Sequence, residues 1–174
     1  MARIQPTGTI AIQFVPTVAD KTAPTVTELG AGTDLTPFVT RDGLKTPATG
    51  NTVDISDVSD LFNSTAPGSY GGDAAELTCY RDTKESADLA WTTLPRGTTG
   101  FLVVARSGFG QDSETGMGSN DGTPTAGDRC EVYPVTVISR AMNDTADNEA
   151  SKFTCSLAIT APPADDASVA AAGE

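Results

Sequence analysis

Residues 127–163 limit what this 174-residue chain can fold into more sharply than any other stretch. Phe153, Cys155, Leu157, Ile159 and Ala161 alternate with Thr154, Ser156, Ala158 and Thr160. A two-residue period puts the first set on one face of a strand and the second on the other. Ahead of it, residues 129–140 are β-branched and aromatic, with Val132, Tyr133, Val135, Thr136, Val137 and Ile138. That composition suits a strand apolar on both faces, or one bulged at Pro134. A polar linker over 143–149 joins the two, so antiparallel neighbours are the simplest arrangement. The rest of the chain then has to supply shorter strands to pack against this pair.

Such segments recur along the sequence. Ile10, Ile12 and Phe14 alternate with Ala11, Gln13 and Val15, which predicts a strand over 9–15 ended by Pro16. Short strands are expected at 25–29, at 34–40 with a break at Pro37, and at 52–55; Asp42-Gly43 signals a turn. Asp54, Asp57 and Asp60, with Ile55, Val58, Leu61 and Phe62 between them, fit one or two helical turns with a solvated acidic face. Pro67-Gly68 and Gly71-Gly72 mark a loop, and residues 75–81 a strand. Asp82 stands where it can cap a helix over about 83–93, with Glu85 at its third position and Ala87, Ala90, Trp91 and Leu94 buried. Residues 100–107 form a strand that is apolar on both faces until Arg106. The Gly-, Asp- and Ser-rich residues 108–128 are expected to form a long projecting loop, or one that orders against a neighbour. Residues 164–174 are of low complexity and are expected to be a flexible tail. The fold class is mainly β, a sandwich or barrel with one flanking helix at about 83–93, in one domain spanning 1–163.

The absences narrow the chemistry. There is no histidine, so neither Ser-His-Asp nor Cys-His catalysis is available, nor the commonest zinc ligand. No phosphate-cradling loop of the GxxxxGK[ST] type occurs, and three Gly-x-Gly pairs lack the third glycine of a dinucleotide fingerprint. Cys79, Cys130 and Cys155 are odd in number, widely spaced and set among apolar neighbours, as buried small hydrophobes in a reducing compartment would be. No catalytic, cofactor-binding or metal-ligating residue is expected, and the chain is expected not to be an enzyme. The first residues lack a hydrophobic signal core, and no apolar run reaches the roughly 20 residues that span a bilayer, so a soluble cytosolic product without a membrane partner is expected. The 23 acidic and 11 basic residues give a net charge of −12, spread without an acidic block. A polyanion is repelled by such a surface rather than gripped.

Several stretches, in order, resemble the major tail protein of long, non-contractile-tailed phages of actinobacteria. They are ELGAGTDLT at 28–36, Asp42-Gly-Leu44, VDIS at 53–56 leading to Phe62 and Pro67-Gly68, and LPRGT at 94–98 with GFLVV at 100–104. Ala126-Gly-Asp128, EVYPV at 131–135, Asn148-Glu149 before Lys152-Phe-Thr154, and ITAPP at 159–163 complete the set. The likeness covers most of residues 9–163; the 108–128 loop does not align. The resemblance implies six copies closing into a ring, with their sheets joined around a lumen. Rings then stack into a tail tube that encloses the tape measure protein, is closed by a tail terminator, and lets genomic DNA pass without specific binding. It also implies a place in the virion tail, assembled in the cytoplasm of the bacterial host. The 108–128 loop and the N-terminal arm to about Ile10 are then expected to make inter-subunit contacts, and removal of the loop to leave a folded monomer. The strands at 75–81, 101–106 and 129–139 are the expected ring-forming sheet. The alternatives are a monomeric, calcium-dependent β-sandwich binding module and another phage head or tail structural protein.

Overall fold

The structure, a computed structural model, describes residues 8–59, 61–84, 87–110, 118–120, 122–143 and 149–172. In chain order the elements are β1 (Ala11–Val15), α1 (Val26–Gly30), β2 (Thr33–Asp34), β3 (Val39–Lys45), β4 (Ala48–Asp54), β5 (Thr65–Gly72), β6 (Ala75–Tyr80), α2 (Leu89–Thr93), β7 (Thr99–Ala105), β8 (Arg129–Met142), β9 (Lys152–Ile159) and β10 (Ala164–Ser168). One antiparallel sheet runs β2-β1-β7-β8-β9-β6-β3, with β10 also pairing β8; β4 and β5 form a separate two-stranded hairpin. The molecule is mainly β, as the alternation predicts.

The two long strands β8 and β9 are at the centre of the sheet. β8 pairs β9 antiparallel from Val135↔Ile159 to Met142↔Phe153. Phe153, Cys155 and Leu157 are fully buried, so the alternating face points into the core. Strand β8 is apolar on both faces. Tyr133, Val135 and Val137 join the larger core with Ile12, Phe14, Leu102 and Val104. Cys130 and Val132 join a second core with Ala11, Val15, Val103 and Ala105. The irregularity lies between Val137 and Ser139, not at Pro134. Pro134 sits where β9 gives way to β10, its carbonyl accepting from Thr160 N at 2.9 Å. A residue with no N–H is tolerated at that break in the ladder. Across the ladder, opposite Val135, a Cβ on Gly100 would lie 2.6 Å from the Phe14 ring, so only glycine fits there.

Five expectations are corrected. Residues 25–29 are helix α1, not a strand. The Thr25 hydroxyl accepts from Glu28 N at 3.2 Å while Glu28 Oε2 accepts from Thr25 N at 2.8 Å, a reciprocal capping box. The helix expected over 83–93 is only Leu89–Thr93. Asp82 Oδ1 instead accepts from Lys84 N at 2.9 Å, closing a local turn that competes with a helix start; Glu85 lies outside the described residues. Asp42-Gly43 falls inside β3, within the register shift between Val39 and Leu44. The Pro67–Gly72 stretch is strand β5, paired with β4 and shifted in register beside Pro67. The stretch expected as a tail is partly β10, antiparallel to β8, with Ala167 and Val169 buried.

The described part of the 108–128 stretch folds back onto the body. Phe109 is fully buried in the second core and bridges Ser119. Asp128 is buried and accepts from Gly110 N and Thr125 N, both at 2.8 Å, and from the Thr125 hydroxyl at 3.1 Å. Gly108 takes φ +79°, where a side chain would be strained. Residues 111–117 and 121 lie outside the described residues. Deleting the whole stretch would therefore remove a core residue, Phe109, together with the buried Asp128 that ties the stretch down, so a folded monomer is not expected from the deletion. Phe109→Ala is expected to destabilise by about 3–5 kcal/mol, read as a lower urea midpoint at unchanged slope; a loss under 1 kcal/mol would place the ring outside the core.

Candidate assembly surfaces

Hairpin β4–β5 is where burial and sequence disagree most. Every residue of β4 is exposed, and β5 is exposed or half-buried throughout. Val53, Ile55, Val58, Leu61, Phe62 and Tyr70 are all exposed, Val58 and Leu61 completely. Scattered surface apolar residues need no explanation, but six on one arm mark a contact surface. The loop that joins the strands is where helical turns were expected over 54–60. Asp54 and Asp57 instead each bind the serine two residues on. Asp54 Oδ1 accepts from Ser56 N at 2.9 Å and its hydroxyl at 2.6 Å; Asp57 Oδ1 accepts from Ser59 N at 2.7 Å and its hydroxyl at 2.5 Å. These turns offer the backbone an alternative to the helix ladder, and the repeated Asp-x-Ser spacing was their signal in the sequence. Ser56 also ties across the loop, its Oγ accepting from Ser64 N at 2.8 Å. The hydrogen bonds from Ser56 hold the Asp54 carboxyl below its ordinary value. Asp60 lies outside the described residues. Among the described residues no group of three or more His, Cys, Asp or Glu side chains could hold a metal ion.

The sheet does not close on itself. Between its two ends, Ile10, Ile12, Val39, Thr40 and Leu44 line a cleft of about 450 Å³. The strands expected to form the ring sheet, at 75–81, 101–106 and 129–139, all belong to this one sheet. β7 and β8 are neighbours, but β9 lies between β8 and β6, and all three have both edges occupied. Among the described residues the sheet ends in two edge strands, β2, which pairs only β1, and β3, which pairs only β6. Of the N-terminal arm, residues 1–7 lie outside the described residues.

On the flank, Trp91 meets Phe153 edge-on at 5.0 Å, and the guanidinium carbons of Arg81 and Arg140 each lie 3.9 Å from its ring centroid. Two cations at that distance must occupy opposite faces. The ring is thus a packing anchor, partly buried against the core, as its place on the apolar face of the expected helix suggested. Arg81 Nε also donates to the buried Asp88 Oδ2 at 2.6 Å, and Arg140 donates to the Trp91 carbonyl at 2.6 Å.

The three cysteines are free and buried, as expected from their apolar neighbours. Burial pushes the Cys79 and Cys130 thiols up to about 12 and Cys155 to about 11. None is an activated nucleophile, because the thiolate is the reactive form. No described helix is long and apolar enough to cross a membrane.

The described residues thus form an antiparallel β body with buried thiols, open sheet edges and an exposed apolar arm. The family described as phage tail tube protein matches residues 1–172. The chain belongs to that family, and is a structural protein of the tail. A chain in a cryo-EM structure of the anti-feeding prophage (AFP) baseplate, six-fold symmetrised, is similar in fold, with a TM-score of 0.55 at 8% identity, covering 98% of each chain. Nothing among the curated proteins matches.

A pH dependence follows from the thiols. Unfolded cysteines ionise near 8.5, while the folded ones stay protonated to about 11–12. The unfolded state then binds fewer protons, so stability falls as pH rises above about 8.5. The expected slope is about 1.4 kcal/mol per pH unit for each thiol, measured by urea unfolding between pH 7 and 10. Cys130→Ala should reduce that slope by about a third, since one of three equal contributions is removed; an unchanged slope would show that other groups set it.

Proposed function

We propose that this chain assembles into hexameric rings that stack into the tail tube of a long-tailed phage, the conduit for DNA ejection. The observation that carries the proposal is the β4–β5 arm, whose six large apolar side chains have no cover within the subunit. A second copy would remove them from water at about 25 cal/mol per Å² of apolar surface buried. The free edge of β3 gives the lateral contact, because an unpaired edge is a template for another strand. A ring satisfies every such edge by closure. The six-fold symmetry of the similar baseplate structure supports a ring of six.

The net charge of −12 supports the conduit. With a Debye length of about 8 Å at physiological salt, carboxylates on a lumen wall act on DNA that passes close by, without holding it. In this proposal the tube encloses the tape measure protein, ends at a tail terminator, and is built in the host cytoplasm before joining the virion.

The test is negative-stain electron microscopy of concentrated protein beside light scattering on a dilute sample. Hollow tubes or stacked annuli are expected. Replacing residues 55–63 by Asn-Gly should leave a monomer with an unchanged melting temperature that forms no tubes. Tubes from the shortened arm would remove it from the assembly contact. A monomer at every concentration, melting higher on addition of calcium, would favour a binding module instead.

A further inference from the structure

A second cavity, of about 230 Å³, lies beside the Trp91 stack and is lined by Arg81, Asp82, Thr83, Asp88, Trp91 and Thr92. Asp88 is 1% exposed. One carboxylate oxygen, Oδ2, takes the Arg81 guanidinium; the other, Oδ1, is buried with no hydrogen-bond partner. A buried acceptor left unmade costs about 1–3 kcal/mol, more when charged. Such an orphan calls for a donor from outside the subunit. The lining holds one guanidinium against two carboxylates, so a cation is favoured over an anion. The wall already receives guanidinium groups, since Arg81 and Arg140 cover both faces of the indole.

We propose that this cavity is a receptor for one arginine side chain of a second copy of this chain, its guanidinium donating to Asp88 Oδ1. The proposal rests on the self-assembly reading for its occupant, but not for the site. The chain has donors to offer. Arg41, Arg96 and Arg129 are exposed and form no ion pair among the described residues. In a chain with only 11 cations against 23 anions, three unpaired arginines are available for a partner's carboxylate. A guanidinium is also more weakly hydrated than an ammonium, so it enters a buried site more readily than lysine would. The contact is distinct from the apolar hairpin. It is short, charge-assisted and directional, and would set the angle between copies rather than supply most of the affinity.

Trp91 is the only tryptophan and reports the cavity directly. Methylguanidinium chloride is titrated into the dilute monomer against matched sodium chloride, and the indole emission is followed. A saturable change with methylguanidinium alone is expected, lost in Asp88→Asn. Thr83→Phe, which fills the rim from an exposed position, should lose it equally, and serves if Asp88→Asn fails to fold. No saturable change, or the same change in both variants, overturns the site. For the occupant, Arg41→Gln, Arg96→Gln and Arg129→Gln are compared in tube formation. One of them should raise the critical concentration about tenfold, equivalent to about 1.4 kcal/mol. Wild-type assembly by all three overturns the second copy as its source. Absence of tubes from the wild-type chain would sink the assembly reading alone, because the titration is made on the monomer.

Discussion

Burial of both faces of three central strands governs the rest of the structure. β1, β7 and β8 carry apolar side chains on alternate positions of each face, so neither face can be left to water. One face is covered by β6, β9 and α2, through Leu77, Phe153, Leu157, Ala90 and Leu94. The other has no second sheet to cover it. Its cover is assembled from pieces: Leu29 of α1, Phe109 of the loop after β7, and Ala167 and Val169 at the C-terminal end. Strand β8, at 14 residues, is long enough to serve both cores, and its pairing passes from β9 to β10 along its length.

Polar locks hold those small covering pieces where hydrophobic area alone would be thin. The Thr25–Glu28 capping box fixes α1, and Glu28 Oε1 also accepts from Ala19 N at 2.7 Å. The hydrogen bonds from Thr25 and Ala19 keep the Glu28 carboxyl below its ordinary value. Asp128 closes the loop that carries Phe109. Arg106 and Glu131 form a two-pronged pair at 2.6 and 2.9 Å across β7 and β8, which holds the Arg106 guanidinium above its ordinary value. These covering pieces are thus held by hydrogen bonds and ion pairs within the subunit, and much of the large apolar surface left exposed is on one arm. That division suits a subunit that must fold alone and then assemble.

Much of this was legible from pattern. The periods of β1, β6, β7, β8 and β9 are visible because a strand with one or two buried faces must repeat its apolar residues at fixed spacing. The burial of all three cysteines follows from their place in those strands. The errors have a common form. Thr25–Glu28, Asp54–Ser56, Asp57–Ser59 and Asp82–Lys84 are decided by hydrogen bonds between a short polar side chain and a nearby backbone N–H, which hydrophobic period does not register. The composition of Thr65–Gly72 reads as loop, yet that stretch is a strand because its partner β4 supplies the ladder.

The sequence by itself determined the β class, the central antiparallel pair and the absence of histidine chemistry, because each is a property of local spacing or of residue type. Tertiary structure alone decided which low-complexity segments are core. Phe109 and Val169 stand in stretches with no period, and they are buried because an uncovered face of β7 and β8 lies opposite them. It also decided that Ile55, Val58, Leu61 and Phe62 are exposed rather than buried. An apolar side chain is in the core only if another element of the same chain covers it, and among the described residues these four are left exposed.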